Sequence, residues 1–222
     1  MHCNTSPRVA LAKLDERSEA TLRDCFNACG VQPVPITDDI IERLCNEKFE
    51  GCVLPLTEGA EKTIETIRSS PLNRRIVLYG ILAGERASHS LLKYGINVVL
   101  RQPVSKAEAI NRVRSTSMLL IHELRRYVRI PLAVRVTVQD GFAILPFVTR
   151  EISGGGMSVE SNGNEVPRDA VQLTFTLPGS SEVKIMAKRC WKAEGVVGFQ
   201  FEDSDNGKSA VKQWIDAWLG IS

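Results

Sequence analysis

The 222-residue sequence has no apolar run approaching the roughly 20 residues that a membrane-spanning helix needs. Membrane insertion is therefore not expected. The first residues, "MHCNTSPRV", lack the apolar core of a secretory signal, which predicts a cytoplasmic protein. An excess of one charge is also missing: 28 Lys and Arg face 26 Asp and Glu, a net charge of +2. No global field draws nucleic acid or acidic lipid, so any anion site must be local. Histidine is scarce, and His2, His89 and His122 show no metal-ligand spacing. Six cysteines are present (Cys3, Cys25, Cys29, Cys45, Cys52 and Cys190), but none forms a CxxC pair. They read as reduced, buried or half-buried thiols, with Cys25 and Cys29 sharing a helix face. No metal site is expected. A nucleophile–base set and a phosphate loop with lysine are missing too, so no catalytic residue, no cofactor and no enzyme activity are expected.

What is present is a soluble-domain composition, 43% hydrophobic and 24% charged, long enough for one large or two ordinary domains. The first half alternates short apolar strands with amphipathic helices. Strand signals lie at 8–14, 51–56, "RRIVLYGI" and "INVVL", and "VQPVPI" reads as extended. Helix signals lie at 18–30, closed by Gly30, and in "TDDIIERLCNEKF", capped by Thr37 or Asp38. Two more are "GAEKTIETIRSS" and "GERASHSLLKYG". Continuous apolar strands between helices predict a doubly wound parallel sheet. A long helix follows from Ser105, with Ile110, Val113, Ser117, Leu120, Leu124 and Tyr127 spaced by threes and fours. This stripe either packs on its own domain or pairs two chains as a homodimer.

After Pro131 the rhythm changes to period two. Six strand segments, from "AVRVTV" to "GVVGFQFED", are separated by turn-rich stretches. This pattern predicts a six-stranded antiparallel barrel. The amphipathic helix at 209–219 carries Val211, Trp214, Ile215, Trp218 and Leu219 on one face and could cover a barrel mouth. Trp191, Trp214 and Trp218 read as core and lid packing. The domains are expected at 1–122 and 123–222.

The βα alternation and its ending, "YGINVVLRQPV", resemble the receiver domain of response regulators. In that family an acidic pair, an acceptor aspartate, a hydroxyl and a lysine carry phosphotransfer. Here those positions fall on Lys13 and Leu14, Pro55, Tyr79 and Gln102. The resemblance therefore implies a pseudo-receiver, and the neighbouring Asp15 alone is a poor magnesium cage.

In the second half, "RRYVR" has the RxxxR spacing and "EISGGGM" follows between two strands. Together with "KRCWKAEGVVGFQF" and the closing helix, these are similar to the bacterial PilZ domain. Its signature is RxxxR followed by [D/N]xSxxG. The resemblance implies cyclic di-GMP binding by Arg125, Arg126 and Arg129 and by Glu151, Ser153, Gly155 and Gly156. Arginine forks suit phosphates and purine faces. Gly154, Gly155 and Gly156 permit positive φ, and the Ser153 hydroxyl can donate and accept. Glu151 stands where the family has Asp or Asn, one methylene longer.

The expected function is a non-enzymatic signal-transduction receptor. It would bind cyclic di-GMP at the PilZ domain and interdomain hinge and signal to a protein partner not yet identified. The alternative is a nucleotide-independent scaffold module that kept the fold. An arginine cluster can also simply compensate a helix dipole. Nucleic-acid binding is disfavoured by the balanced charge and by the lack of an aromatic-basic strand face.

Overall fold

A computed structural model describes residues 6–84, 94–141, 143–161, 170–203 and 206–220. Two compact units divide the chain, Thr5–Leu124 and Arg125–Ser222. The helix expected in "GERASHSLLKYG" lies mostly outside the described residues.

In the first unit, strands β1 (Arg8–Ala12), β2 (Gln32–Ile36), β3 (Gly51–Pro55), β4 (Val77–Leu82) and β5 (Val98–Arg101) form one parallel sheet. The strand order is 2-1-3-4-5, the doubly wound arrangement shared by flavodoxin-like folds. Helices α1 (Glu16–Ala28), α2 (Ile40–Asn46), α3 (Ala60–Ser69) and α4 (Lys106–Tyr127) belong to this half, and α4 continues past the unit boundary.

The apolar strands are continuous because successive residues feed opposite cores. Val9, Leu11, Val53, Val77, Tyr79 and Ile81 pack with Leu22, Cys25 and Phe26 of α1 and with Ala109, Val113 and Leu120 of α4. Ala10, Cys52, Leu54 and Leu78 pack the other way, on Leu44 of α2 and on Ile64 and Ile67 of α3. A Cβ on Gly51 would stand 2.9 Å from a Leu120 methyl, so glycine lets α4 approach the sheet there.

Two expectations are corrected here, and the α4 stripe takes one of its two open options. Helix α2 starts at Ile40 behind Asp39, whose φ is +48° and whose side chain makes no cap bond, so neither Thr37 nor Asp38 is the cap. The stripe residues Val113 and Leu120 are buried in their own unit's core, while Met118 and Leu119 are exposed. Tyr79 lies in the middle of β4, not at its carboxyl end. It is buried, its hydroxyl is 2.6 Å from that of Thr116, and burial pushes its pKa up to about 12. Leu82 at the end of β4 and Ala83 just after it carry no hydroxyl.

In the second unit, β7 (Arg135–Asp140), β8 (Ala143–Ser153), β9 (Gly156–Glu160), β10 (Ala170–Thr176), β11 (Glu182–Ala193) and β12 (Val196–Phe201) close a barrel in the order 8-7-10-11-12-9-8. The period-two segments become these six strands because their alternate residues fill the interior: Val136, Val138, Phe147, Val171, Leu173, Phe175, Ile185 and Phe199 are all buried. A short strand β6 (Ile130–Pro131), which the sequence pattern does not reveal, lies along β8. Helix α5 (Gly207–Leu219) buries Val211, Ile215 and Leu219. Trp214 donates its indole N–H to the Pro178 carbonyl (3.0 Å).

No helix among the described residues is long and apolar enough to cross a membrane.

Candidate functional site

Just past the end of β1 the Asp15 carboxylate is already engaged. Asp15 caps α1 by accepting from the Ser18 N–H (2.9 Å), and its other oxygen accepts from Gln102 Nε2 (2.8 Å). These bonds hold its carboxyl below the usual range, chiefly through Ser18. Among the described residues no group of three or more His, Cys, Asp or Glu could hold a metal ion.

The second unit gathers the expected site residues. The backbone N–H of Gly154 donates to the Arg125 carbonyl (3.1 Å). Ile130 pairs with Ile152, and Pro131 with Glu151. The chain running from the end of α4 is therefore bonded along the motif strand. Arg129 Nε is 3.7 Å from Glu151 Oε1, with the two side chains 51% and 37% exposed. Arg129 also donates to the Arg126 carbonyl (3.1 Å). Arg125, by contrast, is only 14% exposed, and its Nε donates to the Asp216 carboxylate of α5. Arg126 is half-buried and contributes, less than Lys208, to lowering the pKa of Asp203.

The glycine turn works differently from expectation. None of Gly154, Gly155 and Gly156 has a positive φ. Instead, a Cβ on Gly156 would stand 2.1 Å from the Phe199 carbonyl oxygen, and one on Gly154 would stand 3.1 Å from the Arg125 carbonyl oxygen. Close backbone approach, not left-handed conformation, requires glycine at Gly156. Gly155 faces open space. Ser153 is buried, donates to the Gly156 carbonyl (3.1 Å) and accepts from the Gly155 N–H (3.4 Å). Its hydroxyl holds the turn together.

Two bulges arrange the surface beside this turn. Between Thr149 and Glu151 the register against β9 shifts at Arg150, so Thr149 and Ile152 both point inward while Glu151 points outward. A second shift, at Cys190, follows Arg189 and pairs Trp191 with Gly198. Cross-strand partners then align Glu151, Ser158, Gly198 and Trp191 in one row over β8, β9, β12 and β11. Trp191 is 46% exposed, which corrects the expectation of core packing. Its ring lies so close over Gly198 that a Cβ there would sit 2.2 Å from the indole. The Ser158 hydroxyl is buried and makes no hydrogen bond among the described residues. Period-two reading missed this row because each bulge resets the alternation. Cys190 itself is exposed, unlike the buried Cys25 and Cys52.

Comparison with known proteins finds likenesses for both halves of the chain. Residues 123–217 match the family profile described as the PilZ domain. The first half is similar to a putative response regulator from Chloroflexus aurantiacus at 14% identity, covering 53% of this chain and 99% of that one (TM-score 0.45). The second half is similar to the PilZ domain of CeSA from a cellulose-synthesizing bacterium at 23% identity, covering 42% and 97% (TM-score 0.34). It is also similar to the Bacillus subtilis inhibitor of motility MotI/DgrA at 19% identity, covering 43% and 52% (TM-score 0.36). No curated protein matches the chain. Residues 123–217 thus match the PilZ domain family, and a parallel α/β unit precedes them.

Proposed function

We propose that the chain is a non-enzymatic, cytoplasmic receptor for cyclic di-GMP that signals to a protein partner. The observation that carries the reading is the junction of its two motif segments: Arg129 precedes the residue paired with Ile152, and the Arg125 carbonyl holds the Gly154 N–H. Phosphates of the ligand pair with the guanidinium forks of Arg125, Arg126 and Arg129. Each such charge-assisted bond contributes about 1.5–3 kcal/mol. The Glu151 carboxylate accepts from the paired N–H donors of a guanine edge, and the exposed Trp191 ring on the same row offers a planar stacking surface. Ser153, Gly155 and Gly156 act by shaping the turn the base approaches, with Ser153 bound inward. The receiver-like unit, with Pro55 in place of an acceptor carboxylate, serves as a docking body and not as a phosphorylated switch.

Isothermal titration with cyclic di-GMP tests this reading. Saturable heat is expected, with Arg129→Ala removing most of it and Arg150→Ala, exposed on β8, changing it little. Equal losses from both variants would mean diffuse charge attraction. No heat with the unaltered chain at about tens of micromolar would leave a scaffold that has lost its nucleotide.

A further inference from the structure

Two of the three arginines of the arm stand against carboxylates supplied by the barrel unit itself. Arg129 faces Glu151 of β8 at 3.7 Å. Arg126 acts on Asp203, which also contacts Lys208 of α5. Arg125 is bound to Asp216, and this pair is the most enclosed of them, with side chains 14% and 22% exposed. Asp216 lies on the third turn of α5, one residue beyond the buried Ile215. Elsewhere α5 is held by apolar contacts, by the Lys208–Asp203 pair and by the Trp214 indole bond. The Asp216 carboxylate is thus a ready-made occupant of the place a ligand phosphate would take on Arg125. Nothing in the RxxxR or glycine-turn segments calls for it.

We propose that Asp216 is a built-in competitor for the ligand phosphate. Binding transfers Arg125 from Asp216 to the nucleotide and loosens the tie between α5 and the arginine arm. This rests on the receptor reading and adds to it a coupling between ligand and the terminal helix. A partly buried guanidinium needs a counter-charge, and a phosphate that takes the Nε–Nη edge of Arg125 must displace the Asp216 oxygen on Nε, so the two anions compete for that edge. Ligand affinity in the resting chain is correspondingly reduced by the fraction of molecules in which Asp216 holds Arg125. The exchange gives α5 two states, bound to the arm or released from it, which is what a signalling output requires.

The test compares the full chain with its Asp216→Asn and Asp216→Glu variants, by titration with cyclic di-GMP and by amide hydrogen exchange over α5. Asp216→Asn keeps the size and hydrogen bonding of the side chain but removes its charge. It should tighten binding about ten-fold, the equivalent of about 1.4 kcal/mol. Asp216→Glu keeps the competing charge and should not tighten it. Ligand added to the unaltered chain should speed exchange in residues 210–219. In Asp216→Asn, exchange there should already be faster without ligand, and ligand should add little.

Unaltered chain and Asp216→Asn binding equally well, with α5 exchange unmoved by ligand, would overturn the competition and leave the receptor reading intact. Faster α5 exchange in Asp216→Asn with no gain in affinity would also overturn it, making Arg125 a strut that never meets ligand. If Asp216→Asn binds where the unaltered chain does not, the competition is upheld. If neither binds, the receptor reading falls and takes this one with it.

Discussion

Gly155 and Gly156 are adjacent in sequence and opposite in tolerance. A Cβ at Gly156 collides with the Phe199 carbonyl, whereas one at Gly155 meets nothing within 4 Å. Gly156→Ala should therefore destabilise the barrel by about 2 kcal/mol or more, and Gly155→Ala should stay within about 0.5 kcal/mol. Thermal unfolding of the two variants reads the difference. Glu50 makes a second residue-scale prediction. It is 3% exposed, accepts the Arg8 backbone N–H at 2.6 Å, and burial raises its pKa above the usual 4.5. In the pH range between the unfolded value and the raised folded value, the native state binds more protons than the unfolded chain. This contribution to stability is full below pH 4.5 and is lost as pH rises through the folded value. Glu50→Gln should flatten that slope in urea midpoints measured across the acidic to neutral range. An unchanged slope would mean that Glu50 does not produce it.

At the scale of elements, legibility followed periodicity. Strands β1, β3 and β4 read clearly because two buried faces make them apolar throughout, and β7 to β12 because their alternation is regular over most of each strand. What broke the pattern was not legible. The bulges at Arg150 and Cys190 reverse the facing of Glu151 and Trp191, and no residue type announces them. The two-residue β6 is too short to show a period, and it is what bonds the arginine arm to the motif strand. For the stripe on α4, spacing alone left two options, since the same threes and fours suit a partner helix or the chain's own sheet. Gly51 sits under Leu120, and packing on the sheet follows. Accordingly Leu120→Ala should cost about 2–5 kcal/mol of the first unit's stability. Met118→Ala, at a 61% exposed position, should cost under about 0.5 kcal/mol. Denaturant unfolding of the two variants checks this, and similar losses from both would contradict the assignment of faces.

On the scale of the whole molecule, charge is balanced but distributed with purpose. A net +2 gives no long-range pull on polyanions, so the affinity proposed here comes from contacts at one place. Two of the arginines gathered at the end of α4 stand against carboxylates of the barrel unit, Arg125 on Asp216 and Arg129 facing Glu151. The first unit carries Pro55, with no nucleophilic side chain, at the end of β3, so the proposed signal is assigned to the barrel unit. The direct measurement is an amide chemical-shift map of the isotopically labelled full chain during addition of cyclic di-GMP. The account predicts saturable shifts centred on residues 125–131, 151–160 and 198, together with α5. Shifts confined to the receiver-like unit, or none at all, would contradict it.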